Sequence, residues 1–432
     1  MRSPVGWAST PLRRLRSDLK DPLLRNGYAL LLNVGVTSAL GFLYWIVAAR
    51  TYTAVHVGLS STAVAVAQFL AGLAGQPSIA NALTRFLPRA GPDATRLTLL
   101  AYGVAAAAGA LVSGLYVAAT YLPIGVPVVL GQSWIPALAL GASVVVWCVF
   151  ALQDAVLTGL RQAVWVPLEN GLYGVGKIAL LVALASVTPE YGIVVSWFLP
   201  ALVLLPPVNV LIFRRLLRRH PAAALPGHHD RRTIARFIGG DYLGSIFALA
   251  AVDLLPVLVV ARLGAAATAY FYLPFLIVYS IELVAVNLGV SLTVEGALDR
   301  SRLAEVSSSV LRRIGVIVVP AVLVLLLFPG LVLSVYGPAY AAQSSDLLRL
   351  LAVGVLAKTV TTISFSLARV ERRVGRIALV QGVLFVLLMG LSWVLMGTLG
   401  LDGVGVAYLV TQVVVAAAVL PTVLRTLRRH RA

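Results

Sequence analysis

Residues 214–236 read RRLLRRHPAAALPGHHDRRTIAR. The stretch is dense in arginine, carries two prolines and a glycine, and is flanked on both sides by long apolar sequence. A spanning helix needs about 20 mostly apolar residues. Measured outward from the basic stretch, the N-terminal side holds six such segments, at residues 28–49, 57–83, 97–119, 134–154, 167–187 and 191–213. The C-terminal side holds six more, at 237–260, 269–294, 312–333, 346–368, 377–398 and 404–424. The basic stretch is therefore a linker between two equal halves.

The loops test the count. With the N-terminus inside, the cytoplasmic segments collect Arg85, Arg89, Arg96, Arg161, the linker arginines, Arg300, Arg302, Arg312, Arg313, Arg369, Arg372, Arg373, Arg376 and the C-terminal arginines. The opposite side carries only Arg50 and Arg262. One span more or fewer would scramble that division, so the positive-inside rule supports twelve spans with both termini cytoplasmic. Both outer arginines follow the first span of a half, in AARTYTAVHVG and VARLGAAATAY. A second echo follows the third span of each half, VVLGQSW at 128–134 and SVYGPAY at 334–340. Each half has an even number of spans, so the two copies are parallel and related by an axis along the membrane normal.

Composition agrees. The chain is 60% hydrophobic and only 12% charged, against about a quarter charged in soluble domains. The net charge of +18 sits in short loops between apolar runs, which excludes a nucleic-acid groove. The lone cysteine, Cys148, excludes an internal disulfide and reads as buried packing. Before the first span, Leu12, Leu15, Leu19 and Leu23 recur at helical spacing among arginines, as in a helix lying on the inner membrane face, and Pro22 ends or bends it. The expected organisation is an N-terminal segment (1–27), a first lobe (28–213), a linker (214–236), a second lobe (237–424) and a tail (425–432).

No loop is large enough for a catalytic domain, and no H-E-x-x-H, G-x-S-x-G or Walker A pattern occurs. The chain is expected not to be an enzyme and to need no cofactor. His228–His229 read as a solvated loop pair. Ionisable residues inside spans are costly to bury and are functional candidates by default. Asp154, Glu169, Asp241, Asp346 and Arg349 lie near span ends, where snorkelling or hydration accommodates them. Asp253 lies deeper, three residues before Pro256. Lys177, Glu282 and Lys358 lie near mid-depth. Lys20, Lys177 and Lys358 are the only lysines in an arginine-rich chain, so lysine at mid-membrane is not a compositional accident. Lysine can contact phosphate as a point charge. The plainer reading is a bridge between Lys358 and Glu282 within the second lobe. Glu282 and Asp253 are the candidates for binding a coupling ion, H⁺ or Na⁺. Asn33 and Gln68 mark polar inner faces of the leading helices, where ordinary interhelical hydrogen bonding is the alternative.

Twelve spans in two parallel lobes, with AARTYTAVHVG, NALTRFLPRAG (81–91), VPLENGLYGVGKIALLV (166–182) and GGDYLGSIFALA (239–250), resemble the multidrug/oligosaccharidyl-lipid/polysaccharide (MOP) exporter superfamily. Within it, the pattern is similar to actinobacterial Wzx-type polysaccharide flippases. The resemblance implies an all-α membrane protein with a central cavity between lobes, lined largely by the first, second, seventh and eighth spans. It implies that a polyprenyl-pyrophosphate-linked oligosaccharide passes from the inner to the outer leaflet of a bacterial plasma membrane, for cell-surface polysaccharide synthesis. Arg85, Lys177, Asp241, Asp253, Glu282 and Lys358 then become cavity or gate candidates. The expected partners are the lipid-linked oligosaccharide, membrane lipids and other polysaccharide-assembly proteins. The chain lacks an arginine deep in its first or eighth span, a departure from the lipid II flippase branch, which also has fourteen spans. A MATE-type H⁺- or Na⁺-coupled drug or organic-cation antiporter shares the architecture, but its substrate favours acidic cavity residues. A major facilitator would carry a G-x-x-x-D-x-x-G-R-R loop, where this chain has TRFLPRAGPD. A membrane scaffold or enzyme of polysaccharide assembly lacks support from the short outer loops.

Overall fold

A computed structural model describes residues 22–121, 134–219, 231–298, 303–371 and 373–429. The amphipathic stretch before Pro22, most of the 128–134 motif and the His228–His229 pair lie outside the described residues. The helices are α1 (Pro22–Thr51), α2 (Ala54–Leu73), α3 (Gln76–Phe86), α4 (Ala94–Thr120), α5 (Trp134–Gly159), α6 (Val166–Leu184) and α7 (Gly192–Val210). α8 (Arg231–Leu263) begins inside the basic linker, and α9 (Ala265–Leu298), α10 (Leu303–Leu327), α11 (Pro329–Ser334), α12 (Pro338–Val370), α13 (Val374–Leu399) and α14 (Asp402–Arg429) follow. No strand occurs among the described residues.

Eleven of these segments are long and apolar enough to cross a membrane. The twelfth segment expected from sequence is α6, whose 19 residues include Glu169, Asn170 and Lys177. Those polar residues lower its hydropathy, not its reach. Nineteen residues at 1.5 Å each give about 28 Å, close to the bilayer's hydrocarbon thickness. The second span is broken: α2 ends, Gly75 takes a left-handed φ of 82°, and α3 restarts with Pro77 in its first turn. Glycine tolerates that φ and proline tolerates that position, so the break is encoded locally. Pro22 likewise opens α1, where its missing N–H is no loss. Pro200, Pro206 and Pro207 lie within α7, which passes into a π turn at Leu211–Leu216 that runs into the linker.

The internal repeat is visible in which helices pack. In the first lobe α1 packs on α6, α4 on α5, α5 on α7 and α6 on α7. In the second lobe the equivalents recur: α8 on α13, α10 on α12, α12 on α14 and α13 on α14. The seams between lobes break this symmetry. The second span packs along α8 through both α2 and α3, and α2 also packs on α9. The symmetry-related seam, α1 against α9, shows scarcely any close approach among the described residues. Arg50 and Arg262 differ accordingly. Arg50 crosses to the other lobe, donating to the Val335 carbonyl (2.9 Å) and the Ser334 carbonyl (2.5 Å). Arg262 stays within its lobe, over the Trp393 ring at 5.0 Å.

Candidate functional site

The lobes enclose a cavity of ≈ 400 Å³. The end carrying Arg50 closes it. A Cβ at Gly58 would lie 1.8 Å from the Ala265 carbonyl oxygen, so α2 and α9 touch backbone to backbone there. Trp45 of α1 meets Tyr272 of α9 edge to face at 4.9 Å. The α2–α8 seam is closed further along, where Tyr242 donates to the Leu73 carbonyl at 2.5 Å and Gly72 leaves room for Leu249. Beyond Trp45, toward the arginine-rich end, α1 and α9 part. Thr37, Ser38 and Gly41 of α1 and Tyr279 and Ser280 of α9 face the cavity from opposite sides of that gap. Leu31, Leu32 and Val34 of α1 remain exposed below it.

Lys177 lies at the deep end of this cavity. The residue is buried, 6% exposed, and none of the described carboxylates pairs with it. Its ammonium rests on three rings: Trp197 at 4.0 Å, Tyr44 at 4.7 Å and Tyr173 at 5.1 Å. Tyr173 sits one helical turn before Lys177 and so shares its face. The cage is fixed from behind, because Tyr44 donates to the Ile193 carbonyl at 2.9 Å and Tyr173 to the Trp197 carbonyl at 3.0 Å. Cation–π contacts of this kind offset part of the cost of desolvating an ammonium, roughly 2 kcal/mol or more when dry. They supply no counter-charge. Across the cavity, on α8, Asp253 is 6% exposed and its Oδ2 has no hydrogen-bond partner. Gln68 lines the wall between them. The cavity thus holds one cation from the first lobe and one acid from the second.

A second cavity of ≈ 290 Å³ lies within the second lobe and shares Leu249, Val252, Phe275 and Tyr279 with the first. Glu282 and Lys358 face each other there as an ion pair, and the Tyr408 hydroxyl donates to the other Glu282 oxygen. Gln381 and Gln412 line the same space, each with its Oε1 unpartnered.

The structure thus sorts the residues singled out in the sequence. Lys177, Gln68 and Asp253 converge on the inter-lobe cavity, and Glu282 and Lys358 pair in the second one. Asn33 lines neither cavity; its Oδ1 is buried without a partner. Arg85 is exposed at the end of α3, stacked on Phe86 at 5.5 Å. Asp241 falls in α8 at a position whose side chain is not described. The sequence reading passed over the aromatic wall of Tyr44, Trp45, Trp147, Trp197 and Tyr272. Its available signal was the i, i+4 pair Tyr173–Lys177. Asp154 and Glu169, read there as accommodated at span ends, lie close together, Glu169 buried and Asp154 partly buried.

The same fold occurs in solved transporters of the MATE family and the MOP superfamily. The chain matches an inward-facing MATE-family multidrug resistance transporter with TM-score 0.68 and 14% identity, covering 93% of this chain and 98% of that one. A MOP-superfamily transporter from Pyrococcus furiosus, described as having a binding pocket of reverse polarity that suggests a different function, matches with TM-score 0.68 and 14% identity, covering 99% and 100%. The MATE multidrug transporter DinF-BH in complex with R6G matches with TM-score 0.65 and 13% identity, covering 93% and 95%. No family model and no curated protein sequence matches the chain. At these identities the likeness establishes the fold, and function has to be argued from the site.

Proposed function

We propose that this protein is an alternating-access flippase for a polyprenyl-pyrophosphate-linked oligosaccharide. The observation that carries the reading is a buried, unpaired lysine in a cavity that opens sideways. Lys177 offers an uncompensated positive charge to the pyrophosphate. The amphipathic rings of Trp45, Trp197 and Tyr272 and the polar groups of Gln68, Thr37 and Ser38 offer a surface for sugars. The gap between α1 and α9 lets the lipid tail stay in the bilayer while the head group occupies the cavity. The exposed arginines at the basic end, Arg85 and Arg89 among them, draw the anionic head group to that side. That end is taken as cytoplasmic, so the cavity loads from the inner leaflet of a bacterial plasma membrane. Rocking of the lobes about the closed α2–α8 seam then exposes it outward.

Asp253 favours a second reading, a MATE-type antiporter for an organic cation. The two differ in the sign of the charge recognised. In proteoliposomes, the flippase reading expects translocation of a labelled undecaprenyl-pyrophosphoryl oligosaccharide that Lys177→Ala abolishes and Asp253→Asn leaves measurable. Efflux of an organic cation that requires Asp253 and survives Lys177→Ala would replace it with the antiporter.

A further inference from the structure

Outside both cavities, the first lobe buries a second polar centre. Asp154 lies in the last turns of α5 and Glu169 in the first turn of α6, so the short connection between these helices brings the two carboxylates together. Asn170 donates its amide to both oxygens of Asp154, at 2.9 and 3.2 Å. Glu169 is 4% exposed, and neither of its oxygens has a hydrogen-bond partner. Tyr102 of α4 lies nearby. It is 9% exposed, its hydroxyl is also unpartnered, and it lies within electrostatic reach of both acids. Among the described residues no lysine, arginine or histidine from α1, α4, α5, α6 or α7 pairs with either acid. Two adjacent carboxylates in a low-dielectric interior cannot both stay charged without a counter-ion. Every unmet ligand atom here is an oxygen, the donor type preferred by protons and hard cations.

We propose that Asp154, Glu169 and Tyr102 form a monovalent-cation site, for a proton or an alkali ion, separate from the inter-lobe cavity. The site reaches the cavity along one element. Glu169 and Lys177 are eight residues apart on α6, about 12 Å of helix. Occupancy at one end therefore bears on the position and field of the cage at the other. Asn170 holds Asp154 in place, leaving Glu169 and the Tyr102 hydroxyl to complete the site around the ion.

The test uses the purified full chain in nanodiscs, with no transport substrate, so it stands or falls apart from the flippase reading. Thermal unfolding is followed in two arms. One is a NaCl titration against choline chloride at fixed alkaline pH, and the other a pH series in choline alone. Binding to the folded state stabilises it by RT ln(1 + [ion]/Kd), so the unfolding temperature keeps rising as the ion concentration climbs past Kd. The wild type is expected to respond to Na⁺, to protons, or to both, and the arm that responds names the ion. Glu169→Gln, a neutral near-isostere, is expected to flatten that response. Tyr102→Phe, which keeps the ring and its packing, is expected to weaken the apparent cation affinity about tenfold. A response that persists unchanged in Glu169→Gln and Tyr102→Phe, or a wild type indifferent to both ions, overturns the proposal.

Discussion

Replacing Lys177 with methionine should move function and stability in opposite directions. Methionine keeps the length and apolar stem of lysine and removes the charge. In the unloaded cavity the ammonium is held by rings alone, so its loss ends an uncompensated desolvation penalty of several kcal/mol and gives up cation–π contacts of roughly 2 kcal/mol. The balance predicts a protein as stable as the wild type or about 1–2 kcal/mol more stable. On the proposed flippase reading, the same ammonium faces a pyrophosphate oxygen in the loaded cavity. The bare Coulomb attraction at 4 Å is about 4 kcal/mol for an effective dielectric near 20. After desolvation, a hydrogen bond to a charged group leaves about 1.5–3 kcal/mol. That is a loss of roughly 10- to 150-fold in affinity. The assay pairs equilibrium binding of a polyprenyl-pyrophosphate analogue to nanodisc-embedded protein with thermal unfolding of the same samples. Unchanged binding together with a stability loss beyond about 2 kcal/mol would refute the reasoning, because it would make the cage a structural device.

Other consequences of the geometry can be checked in parallel. Glu282→Gln leaves the partly buried Lys358 beside a neutral partner and should cost up to about 3 kcal/mol, and adding Lys358→Met should recover much of it; a thermal-unfolding double-mutant cycle reads the coupling. Arg50→Ala removes both hydrogen bonds that hold the first lobe to Ser334 and Val335, so double electron–electron resonance between spin labels on the two lobes should show a larger population opened at that end. Gly58→Leu should open the same end more strongly, because its side chain would have to occupy the position of the Ala265 carbonyl; an unchanged distance distribution would show that α2 and α9 are not the closing contact. Gly75→Ala forces a left-handed φ on alanine and should lower stability by about 1 kcal/mol without altering binding at Lys177.

Much of this architecture was legible because a bilayer reads length, hydropathy and arginine placement directly. Even the segment that falls short on hydropathy, α6, was long and apolar enough to be picked out, and the placement of arginines in the loops supported the count. The break at Gly75 was less visible, since a glycine and a proline in an apolar run signal a bend without fixing its geometry. The site was partly legible. Charge at mid-depth pointed to Lys177, Asp253, Glu282 and Lys358, because burying charge is expensive wherever it occurs. Which charge meets which depends on helix rotation and lobe packing, and spacing within one helix carries no record of those. Lys358 and Glu282 are 76 residues apart, and their pairing is a property of α9 packing on α12. Glu169 was discounted because depth was judged along its helix alone. Laterally it faces α4 and α5, so it is buried despite its place one turn from the end. The asymmetric seams were invisible for a related reason: two similar repeats give no hint of which interface between them is tight.

The parted seam between α1 and α9 bears on how the energy of transport scales. A cavity with a mouth must swallow its cargo whole, so the barrier grows with every carbon of a lipid tail drawn out of hydrocarbon, about 0.8 kcal/mol each. A cavity with a slit handles a tailed molecule as a card reader handles a card: only the head crosses, while the tail slides along the edge in its own solvent. The work then depends on the head group alone. One such protein can serve carriers of quite different chain length at the same rate while remaining selective for what they carry.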